Sequence, residues 1–149
     1  MALNLRPLEQ RDVDSVLAIQ SVCPEIAQWT AWDYSRVAQG EMAGWVAEEK
    51  ENAEIAGFLI ARRVVSDMEI LNLAVRPESR RLGTGASLLR ASLDWGRSLD
   101  TEKAMLEVRA SNLAALKFYE RFEFLVSGKR PRYYLAPIED ALLLTASLR

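Results

Sequence analysis

Residues 73–86 constrain the fold more than any other part of this sequence. The apolar run Leu73-Ala74-Val75 predicts a buried strand, and Gly83-Thr84-Gly85 opens an amphipathic helix a short loop later. Glycine has no Cβ atom, so the backbone can turn tightly there and a ligand can approach it closely. The first helical turn carries unpaired N–H groups and the positive end of the helix dipole, and together these bind phosphate.

Two interpretations of this turn stay open on the residues alone. It is either a phosphate-binding turn to which Arg80 and Arg81 add charge, or an ordinary strand-to-helix turn with two solvated arginines. It is not a dinucleotide-binding fingerprint, because the third glycine is missing. It is not a P-loop, because no Gly-Lys-Ser/Thr follows.

Hydrophobic periodicity predicts a mixed α/β sheet domain. The predicted strands cover residues 3–6, 44–48, 54–65, 68–75, 104–108, 123–127 and 141–147. The predicted helices cover residues 12–22, 32–39, 83–99 and 113–121. Gln20 falls where the next apolar residue of the first helix is expected. Since there is no repeat or long linker, we expect one domain over residues 1–149.

Composition excludes several kinds of chemistry. The chain contains no histidine, so Ser-His and Cys-His catalysis and histidine-rich metal sites are excluded, and no metal is expected. Cys23 is the one cysteine, which fits a reducing compartment, and a half-buried small apolar residue is the simplest interpretation of it. The net charge of −2 offers no broad basic surface for nucleic acid. No signal peptide or membrane-spanning stretch is visible, so we expect a cytoplasmic protein with no membrane partner.

Glu107 is the candidate acid–base residue in the second half of the chain. Leu106 and Val108 share one face of a predicted strand, so Glu107 points the other way. If that face borders a cleft, the pKa of Glu107 can rise toward the value that a general base needs. If the face meets only solvent, the residue carries no functional information.

The helix that follows carries two further polar candidates. Ser111 or Asn112 can cap its N-terminus. Tyr119 lies on the same helical face as Phe118 and Phe122, so a buried aromatic is its simplest interpretation.

The combined pattern resembles the GNAT superfamily of N-acetyltransferases. The resemblance is carried by Arg80-x-x-Gly83-x-Gly85 after a buried strand, and then by Asn112 with Tyr119 seven residues on. Residues 107–112, with Tyr133-Tyr134 and residues 139–141, are similar to the branch of bacterial ribosomal-protein-alanine N-acetyltransferases.

The resemblance implies a fold and a co-substrate. The fold is α/β (α+β), with a mixed, mostly antiparallel twisted sheet flanked by about four helices. The sheet is splayed around acetyl-CoA between its two central strands, here residues 68–75 and 104–109. No metal is implied.

The resemblance also implies roles for individual residues. Glu107 is the expected general base and Tyr119 the expected general acid. The expected contacts of acetyl-CoA are the backbone of Leu73, Ala74 and Val75 on the pantetheine arm, Asn112 on the same arm, and the turn of Arg80, Arg81, Leu82, Gly83, Thr84, Gly85 and Ala86 on the pyrophosphate.

The implied activity is acetyl-CoA-dependent acetylation of a protein N-terminal amine, with a small-subunit ribosomal protein as the expected target. Two alternatives stay open: acetylation of a small amine such as a polyamine, amino acid or drug, and a non-catalytic acetyl-CoA-binding module. The presence of both Glu107 and Tyr119 argues against the second alternative.

Residues 28–32 and Glu123 depart from the branch pattern, and four further residues are candidates for the acceptor groove. Residues 28–32, Gln-Trp-Thr-Ala-Trp, replace an expected proline-tryptophan-serine pattern at the acceptor entrance. Glu123 stands where a glycine is usual, which questions the local turn. Arg130 and Arg132, with Tyr133 and Tyr134, could shape the acceptor groove, although a solvated basic loop is the simpler expectation for the two arginines.

Overall fold

A computed structural model describes residues 2–149 as seven strands and four α-helices. The strands are β1 (Leu3–Pro7), β2 (Ala43–Glu49), β3 (Ile55–Val64), β4 (Asp67–Val75), β5 (Lys103–Arg109), β6 (Leu125–Leu135) and β7 (Ile138–Ser147). The helices are α1 (Val13–Ser21), α2 (Ala31–Ala38), α3 (Thr84–Ser98) and α4 (Leu113–Glu120). Short 3₁₀ turns occupy Gln10–Asp12 and Pro77–Ser79.

The strands form one mixed sheet in the order β1-β2-β3-β4-β5-β7-β6. β4 and β5 pair in parallel at Met68↔Ala104 and Glu69↔Met105, whereas β1–β2, β2–β3, β5–β7 and β6–β7 pair antiparallel. A parallel pair needs a crossover connection, and α3 provides it. The predicted class, a mixed and mostly antiparallel sheet with four helices, is therefore confirmed.

The chain divides into two compact units. The first contains the residues up to Arg62 together with Ile70–Trp95. Its core includes the fully buried side chains of Val16, Tyr34 and Phe58, and the last two rings pack edge to face with centroids 5.6 Å apart. The single domain expected from the sequence stays a prediction.

The second unit contains Arg63–Glu69 and Gly96–Arg149. In β5, Leu106 and Val108 are buried, whereas Glu107 and Arg109 on the other face are only partly buried. This alternation confirms the orientation that the sequence predicts for Glu107.

The predicted elements agree with the structure to within about three residues, with β6 as the exception. The predicted strand of residues 123–127 starts two residues too early and ends eight too soon, since β6 is Leu125–Leu135. Arg130 and Arg132 therefore lie in a strand, and the expected loop is wrong. β6 is an edge strand with mostly exposed side chains and two irregularities in its pairing with β7, so it has no apolar alternation to detect.

The early start of the predicted strand has a local cause at the end of α4. Glu123 has a φ of 67°, in the left-handed region, and belongs to the turn that ends α4. The N–H of Phe124 donates to the carbonyl of Tyr119 at 3.2 Å, and the N–H of Glu123 donates to that of Glu120 at 3.0 Å. These two bonds define a Schellman motif, and the rings of Tyr119 and Phe124 add its apolar contact at 5.4 Å.

The left-handed conformation of Glu123 predicts that glycine is the better residue there. Glu123→Gly should raise the free energy of unfolding by roughly 0.5–1 kcal/mol. The substitution removes the strain that a Cβ atom causes in the left-handed region. Part of this gain is lost because glycine increases the conformational entropy of the unfolded chain. Urea unfolding of the wild type and the variant measures the difference. Glu123→Ala is the matched control, since it removes the same charge and keeps the Cβ. A Glu123→Gly variant no more stable than Glu123→Ala contradicts the assignment.

Candidate active site

The turn between β4 and α3 has the backbone shape that an anion requires. Arg81 and Gly83 both have positive φ, 64° and 86°. A Cβ placed on Gly83 meets no heavy atom within 4 Å, so the space beside it is open. The N–H of Ser87 donates to the carbonyl of Gly83 at 3.0 Å, and the N–H groups of Thr84, Gly85 and Ala86 precede this bond at the start of the helix. The turn thus fits a diphosphate through its main chain.

The side chain of Arg80 contacts residues of the first unit. Its Nε donates to the carbonyl of Val75 at 3.1 Å, and its Nη2 lies 3.3 Å from Glu25 Oε1. The same Nη2 lies 3.1 Å from the Sγ of Cys23. Cys23 is fully buried rather than half-buried, and burial raises the pKa of its thiol. Arg80 therefore joins the end of β4 to the connection between α1 and α2, whereas the side chain of Arg81 is exposed.

A buried polar network fixes the α1–α2 connection, here residues 22–30. The amide of Gln20 bonds both backbone groups of Trp29, donating to its carbonyl at 2.8 Å and accepting from its N–H at 3.0 Å. Asn72 of β4 donates to the carbonyl of Ala27 and to the hydroxyl of Tyr34, both at 3.1 Å. Tyr34 in turn donates to Gln20 Oε1. The connection is thus fixed at three backbone atoms, two held by Gln20 of α1 and one by Asn72 of β4.

Gln20 was visible in the sequence only as an interruption of an apolar face, and the network built on it was missed. Asn72 is likewise a polar residue at a buried position, on the face of β4 that also carries Ile70 and Ala74. A polar residue at a buried position needs a hydrogen-bonding partner, so both residues could have been flagged. The partner atoms are backbone atoms of the connection, which no sequence pattern specifies.

Glu107 lies beside a basic and aromatic group of side chains on one face of β5, β7 and β6. Arg130 pairs with Ala141 across the β6–β7 ladder, and Ala141 pairs with Arg109 across the β5–β7 ladder. Arg130 therefore shares the face of Arg109 and Glu107. The Nε of Arg130 is 3.2 Å from Glu107 Oε1, and the Glu107 side chain is 19% exposed.

Arg109 and Tyr134 form the fixed part of this face. The guanidinium of Arg109 lies 4.2 Å from the centre of the Tyr134 ring and 3.2 Å from Glu139 Oε1. Glu139 also accepts from the backbone N–H of Ser111 at 3.1 Å. The hydrogen bonds from Ser111 and Arg109 hold the pKa of Glu139 below its ordinary value. Burial, together with the negative charge of Glu107, raises the pKa of Tyr134.

Tyr119 is held in α4 by aromatic packing. Its side chain is buried, with the rings of Phe118 and Phe124 at 5.1 and 5.4 Å. Burial raises the pKa of its phenol well above the ordinary value, so the hydroxyl keeps its proton at neutral pH. Asn112 caps the same helix by accepting from the N–H of Ala115 at 3.2 Å, which confirms the predicted cap.

The predicted site residues fall into two groups, one in each unit. Residues 73–75 and 80–86 belong to the first unit, and Glu107, Asn112 and Tyr119 belong to the second. Among residues 2–149, no group of three or more His, Cys, Asp or Glu side chains could hold a metal ion. None of the helices in that range is long and apolar enough to cross a bilayer.

The strand order and the crossover helix are those of an acetyltransferase fold. A model of the acetyltransferase (GNAT) family matches residues 11–124. The chain belongs to this family.

Individual relatives are named for narrower activities than the family. An N-alpha-acetyltransferase of Sulfurisphaera tokodaii is 30% identical over 159 residues, which cover 97% of this chain and 93% of the relative. The [ribosomal protein bS18]-alanine N-acetyltransferase of Escherichia coli K12 is 34% identical over 96 residues, or 63% of this chain and 65% of that enzyme. The crystal structure of the E. coli ribosomal-protein-S18-alanine N-acetyltransferase superposes with a TM-score of 0.85 at 25% identity, covering 99% of this chain and 94% of the other.

Proposed function

We propose that this GNAT-family protein transfers the acetyl group of acetyl-CoA to the N-terminal amine of a protein, with a small-subunit ribosomal protein as the acceptor. The observation that carries the proposal is the likeness to enzymes named for N-terminal acetylation. One of them matches 97% of the chain, and another is named for the alanine of bS18.

Acetyl-CoA supplies the acetyl group as a thioester. The groups that would hold its diphosphate are the main-chain N–H groups of residues 81–86, because that turn combines two positive φ values with the start of a 15-residue helix. The backbone of Leu73, Ala74 and Val75 would hold the pantetheine arm as an added strand does, with Asn112 as a further contact. Arg80 would support the turn by holding the Val75 carbonyl rather than by binding phosphate directly.

Glu107 would act as the general base. An α-amine has a pKa of about 7.7–8.0, so much of it arrives protonated and must lose a proton before it can attack. A carboxylate on the partly exposed face of β5, directly or through one water, can take that proton. On that face the carboxylate lies 3.2 Å from the Nε of Arg130, and its charge acts on Tyr134.

Tyr119 would act as the general acid. Burial keeps its phenol protonated throughout the pH range in which the amine ionises. In this role the phenol gives its proton to the coenzyme A thiolate as it leaves, and the proton released by the newly acetylated nitrogen restores the phenol. No covalent acyl-enzyme is required, in keeping with a sequence that has no histidine and only one cysteine, Cys23, which is buried.

The proposal predicts which amine the protein acetylates. The purified chain should transfer radiolabelled acetyl from acetyl-CoA to a peptide that begins with alanine and has a free N-terminus. The same peptide with a blocked N-terminus and one internal lysine is the matched control and should stay unlabelled. A panel of polyamines and amino acids tests the alternative acceptors. Labelling of a small amine while the free peptide stays unmodified would rule out protein N-terminal acetylation.

The role of Tyr119 predicts a large kinetic effect with little structural effect. Tyr119→Phe should lower kcat by about 10²–10⁴-fold, because it removes the proton donor. The Phe118 and Phe124 ring contacts stay, so the melting temperature and the Kd of coenzyme A should not change. Tyr133→Phe, which removes a half-exposed phenol, is the control and should retain kcat within about twofold. A Tyr119→Phe variant with wild-type kcat contradicts the general-acid role.

A further inference from the structure

We propose that Arg130 is a resident cation on Glu107, and that the ammonium group of the acceptor takes its place when the acceptor binds. The proposal rests on the proposed role of Glu107 and adds a recognition step. The positively charged acceptor replaces Arg130 as the ion-pair partner of the Glu107 carboxylate. It makes Arg130 a positioning residue that sets acceptor affinity.

The geometry places the guanidinium of Arg130 where an incoming amine has to go. Its Nε lies 3.2 Å from Glu107 Oε1, the separation of a direct ion pair. For direct proton transfer the base needs the nitrogen at hydrogen-bond distance from its oxygen, about 2.6–3.2 Å away. An acceptor nitrogen that gives its proton directly to Oε1 on that side takes the position of the Arg130 Nε, so the guanidinium has to leave for it to bind.

The other cation on this face, Arg109, is held much more firmly than Arg130. Arg109 is 22% exposed, and it is held by Glu139, by the ring of Tyr134 and by the carbonyl of Pro137 at 3.4 Å. Arg130 is 55% exposed and pairs with the single carboxylate of Glu107. An exposed ion pair of this kind is weak, so Arg130 is the cation that exchanges.

Arg130 also makes a contact that does not depend on Glu107. The ring of Tyr133 lies 5.5 Å from its guanidinium carbon, within cation–π distance. Both residues lie on the edge strand β6, where a register irregularity between Arg130 and Tyr134 breaks the ladder with β7. Displacement of the guanidinium toward Tyr133 and solvent needs no change in the core.

Steady-state kinetics with the full chain and the alanine-starting peptide tests the exchange. Arg130→Ala should lower the KM for the peptide by roughly two- to fivefold, because the acceptor no longer competes with a resident cation. The value of kcat and the Kd of coenzyme A should stay the same. Arg130→Lys restores the cation and should restore the higher KM.

Lys129→Ala is the matched control for charge. Lys129 is the neighbouring cation on β6, is 58% exposed and pairs with Asp140 at 3.6 Å, so its removal changes the net charge equally. Its KM for the peptide should match that of the wild type. An equal fall in KM for Lys129→Ala would show a general charge effect and overturn the proposal, as would an unchanged or higher KM for Arg130→Ala.

The dependence on Glu107 is tested by binding rather than turnover. Calorimetry of the peptide with Glu107→Gln and with the Glu107→Gln/Arg130→Ala double variant should give equal Kd values, because the exchange needs the carboxylate. A tighter Kd in the double variant overturns the proposal. If the protein acetylates a small amine instead of the peptide, the same measurements are made with that amine. The proposed function then fails, and the exchange at Glu107 is still tested.

Discussion

The turn between β4 and α3 is the backbone constraint on which the rest of the site depends. Two residues with positive φ, Arg81 and Gly83, lead the chain into α3, which opens with N–H groups that have no helical acceptor. These donors cost free energy when buried unpaired, so they must face solvent or a ligand. A diphosphate satisfies them together with the helix dipole. In the proposed role, main-chain groups hold the diphosphate, which requires no broad basic surface on a chain with a net charge of −2.

A second constraint fixes the chain beside that turn. Gln20 and Asn72 occupy buried positions of α1 and β4 and use their amides to hold the backbone of the α1–α2 connection. Arg80 holds the same connection through Glu25 and also holds the carbonyl of Val75. The connection and the strand end are therefore fixed by polar contacts rather than by apolar packing alone. Loss of one amide would leave buried polar groups unpaired, which typically costs about 1–3 kcal/mol for each group.

Much of the fold was predictable because it follows from local patterns. The alternation of β5 and the glycines before α3 gave the orientation of Glu107 and the start of the helix, and both are confirmed. β6 was not predictable over its full length, because an edge strand with exposed side chains has no buried face to mark it. Glu123 stands where the family usually has glycine, and its left-handed conformation belongs to the turn that ends α4, so β6 begins two residues later.

The site could be predicted as a list of residues but not as a set of contacts. The ion pair between Arg130 and Glu107 joins residues on two strands that are separated in the sheet by β7. The contact of Arg80 with Cys23 and Glu25 spans more than fifty residues of sequence. Such pairs depend on strand register and on long-range packing, which one sequence does not encode as a pattern. Because of these contacts, Arg80 of the predicted phosphate turn holds the Val75 carbonyl and Glu25. Arg130, which was expected in a loop, forms an ion pair with the proposed base Glu107.

A crystal structure of the protein with coenzyme A tests the role of the turn most directly. The expected result is a diphosphate whose oxygens lie about 3 Å from the main-chain nitrogens of Gly83, Thr84, Gly85 and Ala86. Ordered coenzyme A with its diphosphate bound elsewhere, and those nitrogens contacting only water, would contradict the proposed role of this turn.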